Sequence, residues 1–295
     1  MTTPHTNVTP RAIVLGILLI PVNTYFIMWN HLKYWSTLPT TISLIYNAII
    51  SLIILVSLNF LIQRFAPRFA LKHGEFMTVY VMLSVSSALA GHDMIQTVMP
   101  TISDGFWFAT PENEWKQLFW RHLPSWMVVD NFSTLEGFYE GESTFYTPHH
   151  FRHWIWPTVW WTAFLTGLTW VMICLSVLLK KQWIEHERLS YPIIQLPLFM
   201  TSQPSLESSR GKIFVQTGLW FGLGISGGIA LINGLAELLP TIPTIKIHPR
   251  HHNLARYITT QPWRSMGGVN VGIISPVAGL AFFMPLDMSI SCVFF

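Results

Sequence analysis

The sequence predicts an all-α fold: a polytopic transmembrane helical bundle of about six spans with a Pro-interrupted re-entrant or interfacial segment. Three observations lead there. Charged residues make up only 11% of the 295 residues, against roughly 25% in soluble domains. Hydrophobic residues reach 51%, and the mean hydropathy is +0.42. Six apolar runs approach the ~20 residues that a helix needs to cross about 30 Å of hydrocarbon. Seventeen Lys and Arg with 14 Asp and Glu are too few to cover a soluble surface of this size. The net charge of +3 is diffuse and leaves no nucleic-acid footprint.

The first run, about Ala12 to Leu32, carries Pro21 in its middle. It continues into Asn23-Thr24-Tyr25 with no small-residue cleavage site, so it reads as a retained helix and not a signal peptide. The second, about Ile42 to Ile62, is nearly unbroken. The third, about Phe76 to Met99, turns polar in its second half. The fourth, about Trp154 to Leu179, opens with Trp154, Trp156, Trp160 and Trp161, as an interfacial aromatic belt would. The fifth, about Ile213 to Leu239, is rich in glycine, and the sixth runs from about Gly268 to Phe295. Backbone amides in lipid must be paired internally, which makes these runs helices. Between the fourth and fifth, Leu189 to Met200 is apolar but too short to span. Its Pro192 and Pro197 suit a broken, cavity-lining piece, or an amphipathic linker lying on the membrane surface.

The expected organisation is three helices over 1–99, an acidic extramembrane loop over 100–152, and three further helices over 153–295 with a cytoplasmic 181–212 segment. With a cytoplasmic N-terminus, nine Lys and Arg fall on inner segments and eight on outer ones. Without the basic 240–265 loop the count is nine against four, which favours N-in within the inner (plasma) membrane. The last run ends in Cys292-Val293-Phe294-Phe295 with no polar flank, and a carboxylate inside the bilayer is costly. The chain is therefore expected to continue beyond residue 295.

Polar residues within apolar runs mark a substrate or ion pathway. Asn23 and Asn30 are seven apart on the first span and share a face. The third span holds Ser84, Ser86, Ser87, Gly91, His92, Asp93 and Gln96. His92 and Asp93 suit a proton relay or a substrate amine. Glu187, Arg188, Tyr191 and Pro192 form the entry to the short apolar piece, Asn233 and Glu237 share a face of the fifth span, and Asp287 follows Pro285 in the sixth. In each case interhelical hydrogen bonding or an interfacial position is the competing reading. His149 and His153 are spaced for zinc, but no third ligand pattern accompanies them, and His248, His251 and His252 lie in a proline-flanked loop. No metal and no cofactor is expected. Cys174 and Cys292 lie in apolar runs and form no disulfide framework. Neither a phosphate-binding G-x-x-x-x-G-K-[ST] nor a dinucleotide fingerprint is present. Pro111 to His122 is expected to form a short helix ended by Pro124. Glu136, Glu140 and Glu142 read as a solvated acidic face, with acid–base chemistry as the alternative.

Several motifs add a resemblance. Arg11-Ala12, Leu15-Gly16 and Asn23 resemble the opening helix of the oligopeptide transporter (OPT) superfamily, and Glu187-Arg188-Leu189-Ser190-Tyr191-Pro192 is similar to its Glu-x-Leu-x-Phe-Pro stretch. The chain is more similar still to a group of uncharacterised bacterial membrane proteins distantly akin to those transporters. That likeness rests on Trp120 to Trp126 (Trp-Arg-x-Leu-Pro-x-Trp), on Glu187 to Pro192, and on Pro285-Leu286-Asp287. It implies a longer protein of which this is an N-terminal part. The Asn-Pro-Gly segment of the superfamily and a second half are missing from these residues. The resemblance implies a secondary transporter for a small peptide-like or amphiphilic solute, proton-coupled, and more a transporter than an enzyme. Its partners would be the lipid bilayer, a small solute, no nucleic acid, and a second copy in a homo-oligomer. The alternatives are a membrane-embedded enzyme using the acidic outer loop and a membrane scaffold.

Overall fold

The computed structural model describes residues 8–34, 40, 45–92, 94–187, 191–201, 217–239, 241–245, 257, 260–261, 272, 275–282 and 284–294. Among them every regular element is helical. In chain order these are α1 (Pro10–Tyr34), α2 (Tyr46–Phe65), α3 (His73–Ala90), α4 (Ile95–Trp107), α5 (Trp115–Leu118), α6 (Phe132–Tyr139), α7 (Pro148–Lys181), α8 (Pro192–Thr201), α9 (Thr217–Leu238), α10 (Ser275–Phe282) and α11 (Leu286–Phe294). Among the described residues, five stretches are long and apolar enough to cross a membrane: Pro10–Lys33, Tyr46–Phe65, His73–Trp107, Pro148–His186 and Trp220–Leu238.

The sixth run does not form one such helix among the described residues. It is divided into α10 and α11 at Met284–Pro285. Pro285 has no N–H to continue α10, and it disfavours helical geometry in the residue before it. Its own carbonyl accepts from Ser289 N–H at 2.9 Å, opening α11. The third run is also divided, α3 ending at Ala90 and α4 starting at Ile95, and α4 extends to Trp107 with Pro100 inside. Residues 100–107, expected in a loop, are thus helical. The expected Pro111–His122 helix is reduced to the single turn α5 and a 3-10 turn, Trp120–His122. Asn113 explains this locally. Its Oδ1 accepts from the backbone of Thr110 at 3.0 Å and Trp115 at 3.2 Å, a side-chain turn that competes with helix.

The chain divides into two compact units. The first comprises 1–20, 43–83 and 190–295. Here Thr9 caps α1 by accepting from Ala12 N–H, and Arg11 pairs with Glu75 at 3.3 Å. Glu75, buried in the first turn of α3, also accepts from the Thr9 hydroxyl at 2.7 Å and the Lys72 backbone at 2.8 Å. The Lys72 bond is one arm of a capping box. Arg11 further donates to the carbonyls of Phe69 and Ala70. Asn59 on α2 holds Leu71 by both backbone groups, at 2.6 and 3.3 Å. α8 packs on α2 and α10. It runs through Pro197 without interruption, where the Thr201 hydroxyl donates to the Pro197 carbonyl at 2.8 Å.

The second unit comprises 21–42 and 84–189. Its core is Ile102, Val129, Leu135 and Trp154, with Trp107, Tyr139 and Trp161 packed around it. The 108–147 segment is therefore a folded piece built on α4 and α7, and not a free loop. Trp120 Nε1 donates to the Gly105 carbonyl and Trp161 Nε1 to the Met127 carbonyl, at 2.8 and 2.9 Å. Asn131 caps α6 through Thr134 N–H at 3.0 Å.

Candidate functional site

Within the second unit, the later part of α1 meets the end of α3 and the start of α4 along a polar seam. The buried side of α1 is set by spacing: Asn23, Ile27 and His31 recur every four residues and so share one face. Asn23 is 6% exposed and donates from Nδ2 to Ser87 Oγ at 2.9 Å and Ser86 Oγ at 3.4 Å. Ser87 is fully buried. One turn or two further along, the His31 and His92 rings stack with centroids 5.2 Å apart and 30° between planes. Gln96 Nε2 contacts Met28 Sδ at 3.4 Å.

The break between α3 and α4 puts His92 there. α3 ends at Ala90, and Gly91 lies so close to Thr40 that an added Cβ would come within 2.5 Å of Oγ1 and 2.8 Å of Cβ. Only glycine fits this approach without displacement. Met94 caps the new helix, its carbonyl accepting from Thr97 and Val98 N–H. The Thr97 hydroxyl donates to the His92 carbonyl at 3.0 Å. The buried Ser84 Oγ and Gln96 Oε1 have no hydrogen-bond partner among the described residues. Buried polar atoms in that state are costly unless a ligand or water meets them. The seam can therefore offer hydrogen bonds to a guest, and its imidazoles can carry protons.

Of the residues singled out in the sequence, Asn23, Ser84, Ser86, Ser87, His92 and Gln96 fall on this seam. Asn30 is half-buried and next to His31. Asp93 and Arg188 lie outside the described residues, as do His248, His251 and His252. The remaining positions do not gather. Glu187 is exposed at the end of a π-turn, Gln182–His186, that closes α7, and accepts from Gln182 Nε2 at 3.1 Å. Tyr191 has a left-handed backbone (φ 43°) ahead of Pro192, the first residue of α8. Asn233 holds Ile245 by both backbone groups, at 2.7 and 3.2 Å, which gives it a loop-pinning role. Glu237 is exposed, and so is Asp287 in the first turn of α11. His31 was not singled out in the sequence, although a step of four from Ile27 and eight from Asn23 was available to find it.

The histidines of α7 act locally. His149 Nε2 lies 3.0 Å from Ser133 Oγ, and His150 Nδ1 lies 3.3 Å from Ser143 Oγ. No group of three or more metal-ligating side chains occurs among the described residues. Glu136, Glu140 and Glu142 are exposed. Glu112 is held below the ordinary carboxylate range by its own backbone amide and the Thr110 hydroxyl. Tyr139 is pushed up to about 12 by burial and by its bond to the Asp104 carboxylate.

Over residues 2–295 the chain matches a family of unknown function, DUF6785, and it belongs to that family. No curated protein and no solved structure matches it.

Proposed function

We propose that this chain forms part of a secondary transporter that moves a small peptide-like or amphiphilic solute together with protons. In this reading it is a multi-pass protein of the inner (plasma) membrane with a cytoplasmic N-terminus. The observation that carries the proposal is the separation of α3, ending at Ala90, from α4, starting at Ile95, inside a stretch long and apolar enough to cross a membrane. Irregular backbone at that depth is tolerated where it is buried in protein or lines a cavity, and transporters place their sites at such breaks. The buried polar groups of α1 and α3 beside the break give a solute hydrogen-bonding partners, and the His92 imidazole lies among them as a group able to accept or donate a proton. The motif likeness to the OPT superfamily supports the same reading.

The test is proton-driven uptake of labelled di- and tripeptides in proteoliposomes. His92→Ala is expected to abolish uptake, and Gln96→Ala to lower it. Wild-type rates in both variants, with normal insertion, would remove the site assignment.

A further inference from the structure

α7 is longer than a bilayer requires. Its 34 residues extend about 51 Å at 1.5 Å per residue, against roughly 30 Å of hydrocarbon. Lys180 and Lys181 fix one end in the headgroups. Counting back about 30 Å from Lys180 reaches Trp160, so the helix from Pro148 to about Trp160 stands outside the hydrocarbon. This outer part is where the 108–147 segment packs. Trp161 Nε1 is bonded to Met127, and the Trp126 ring lies 4.7 Å from that of Trp160. Trp126 is 46% exposed and Trp160 is 47% exposed, and Trp156 one turn away is more exposed still.

The indole N–H groups sort the same way. Those of Trp120 and Trp161 are spent on carbonyls inside the fold. Those of Trp126, Trp156 and Trp160 donate to no other described residue. Exposed indoles with an unspent N–H, at the level where a helix enters lipid, match the headgroup layer, where one edge is apolar and the other wet.

We propose that Trp126 extends the aromatic belt of α7 and seats the 108–147 segment on the bilayer, with phospholipid headgroups as its partner. The segment is then an interfacial plate, in contact with lipid at Trp126 and with water at its carboxylates, Glu140 among them. This rests on the membrane placement of α7 and not on transport.

Spin-label accessibility tests it. Cys174 and Cys292 are first replaced by Ala in the whole protein, reconstituted in phosphatidylcholine vesicles. Nitroxides are then attached at Trp126→Cys, Glu140→Cys and Leu168→Cys, with Ser125→Cys in place of the first should it not fold. Accessibility to oxygen relative to a water-soluble nickel chelate should rise in the order 140, 126, 168, with 126 several-fold above 140. A label at 126 as open to the chelate as that at 140 overturns the proposal. So does a label at 126 shielded from both reagents, which would mean a protein partner there. If the label at 168 meets the chelate freely, the membrane placement of α7 fails and the proposal falls with it.

Discussion

Replacing Gly91 by Ala probes the helix break directly. Two effects oppose each other. Alanine restricts the unfolded chain and favours helix, which stabilises by about 0.4–1 kcal/mol where the native backbone accepts it. Against this, the new Cβ would sit 2.5 Å from Thr40 Oγ1, 2.8 Å from Thr40 Cβ and 3.1 Å from the Ser87 carbonyl. The Thr40 Cβ is anchored to backbone and cannot rotate away, so relief requires main-chain movement. Overpacking of this kind costs roughly 1–3 kcal/mol. The clash wins, and the net loss is about 1–2 kcal/mol. Thermal unfolding of the purified protein in lipid nanodiscs reads it, since 1 kcal/mol corresponds to roughly 2–4 °C in a protein of this size. Thr40→Gly removes both close atoms, so the double variant should recover most of the loss, with a coupling of about 1 kcal/mol in the cycle. A Gly91→Ala protein as stable as wild type, or a double variant no better than the single, would refute the close approach of Gly91 to Thr40.

Asn23→Ala removes the bond that meets the buried Ser87 hydroxyl. Hydrogen bonds between membrane helices average about 0.6 kcal/mol, so a loss of roughly 0.5–1.5 kcal/mol by thermal unfolding is expected. Arg11→Ala leaves the Glu75 carboxylate buried without its cation. Because Arg11 is partly exposed, the cost should be about 1–3 kcal/mol and not the full buried-pair figure. Glu75→Gln on top of Arg11→Ala should recover part of it. Tyr139→Phe leaves Asp104 without its phenol donor and should cost about 1 kcal/mol. The same tyrosine sets a pH dependence. Its hydroxyl is raised from 10.0 to about 12, so the stabilisation it gives is complete below pH 10 and is lost as pH rises through about 12. Ultraviolet titration should show one tyrosinate step near pH 12 that disappears in Tyr139→Phe.

The helices themselves were legible because a long uncharged run has few physical alternatives in lipid. Where they stop was less so. Pro21, Pro157 and Pro197 sit inside continuous helices, whereas Pro285 divides one. Proline removes one donor in every case, and whether neighbours absorb the loss is decided by packing that sequence does not display. The polar half of the third run was visible, but the break at Gly91 was not, because it depends on Thr40, some fifty residues away. His92 and Asn23 were recoverable as polar residues in apolar runs. Their common location was not, since Asn23 finds Ser87 across 64 positions. Arg11 with Glu75 is hidden for the same reason, each looking like an ordinary flanking charge on its own helix. Asn233 shows the opposite failure: a polar residue that stood out in the sequence is used to hold a neighbouring loop.

If the seam between α1 and the α3–α4 break is a path for solute, it is wet; if it is only a packing contact, it is dry. Thiol accessibility decides between them. In a protein with Cys174 and Cys292 replaced by Ala, cysteines placed at Ser86 and Gln96 are treated with a charged, membrane-impermeant thiol reagent in sealed vesicles. A solute path gives modification at both positions, at rates well above that of a Phe164→Cys control on the exposed apolar face of α7. Labelling at Ser86 and Gln96 as slow as at Phe164 would contradict it and leave the seam as helix packing alone.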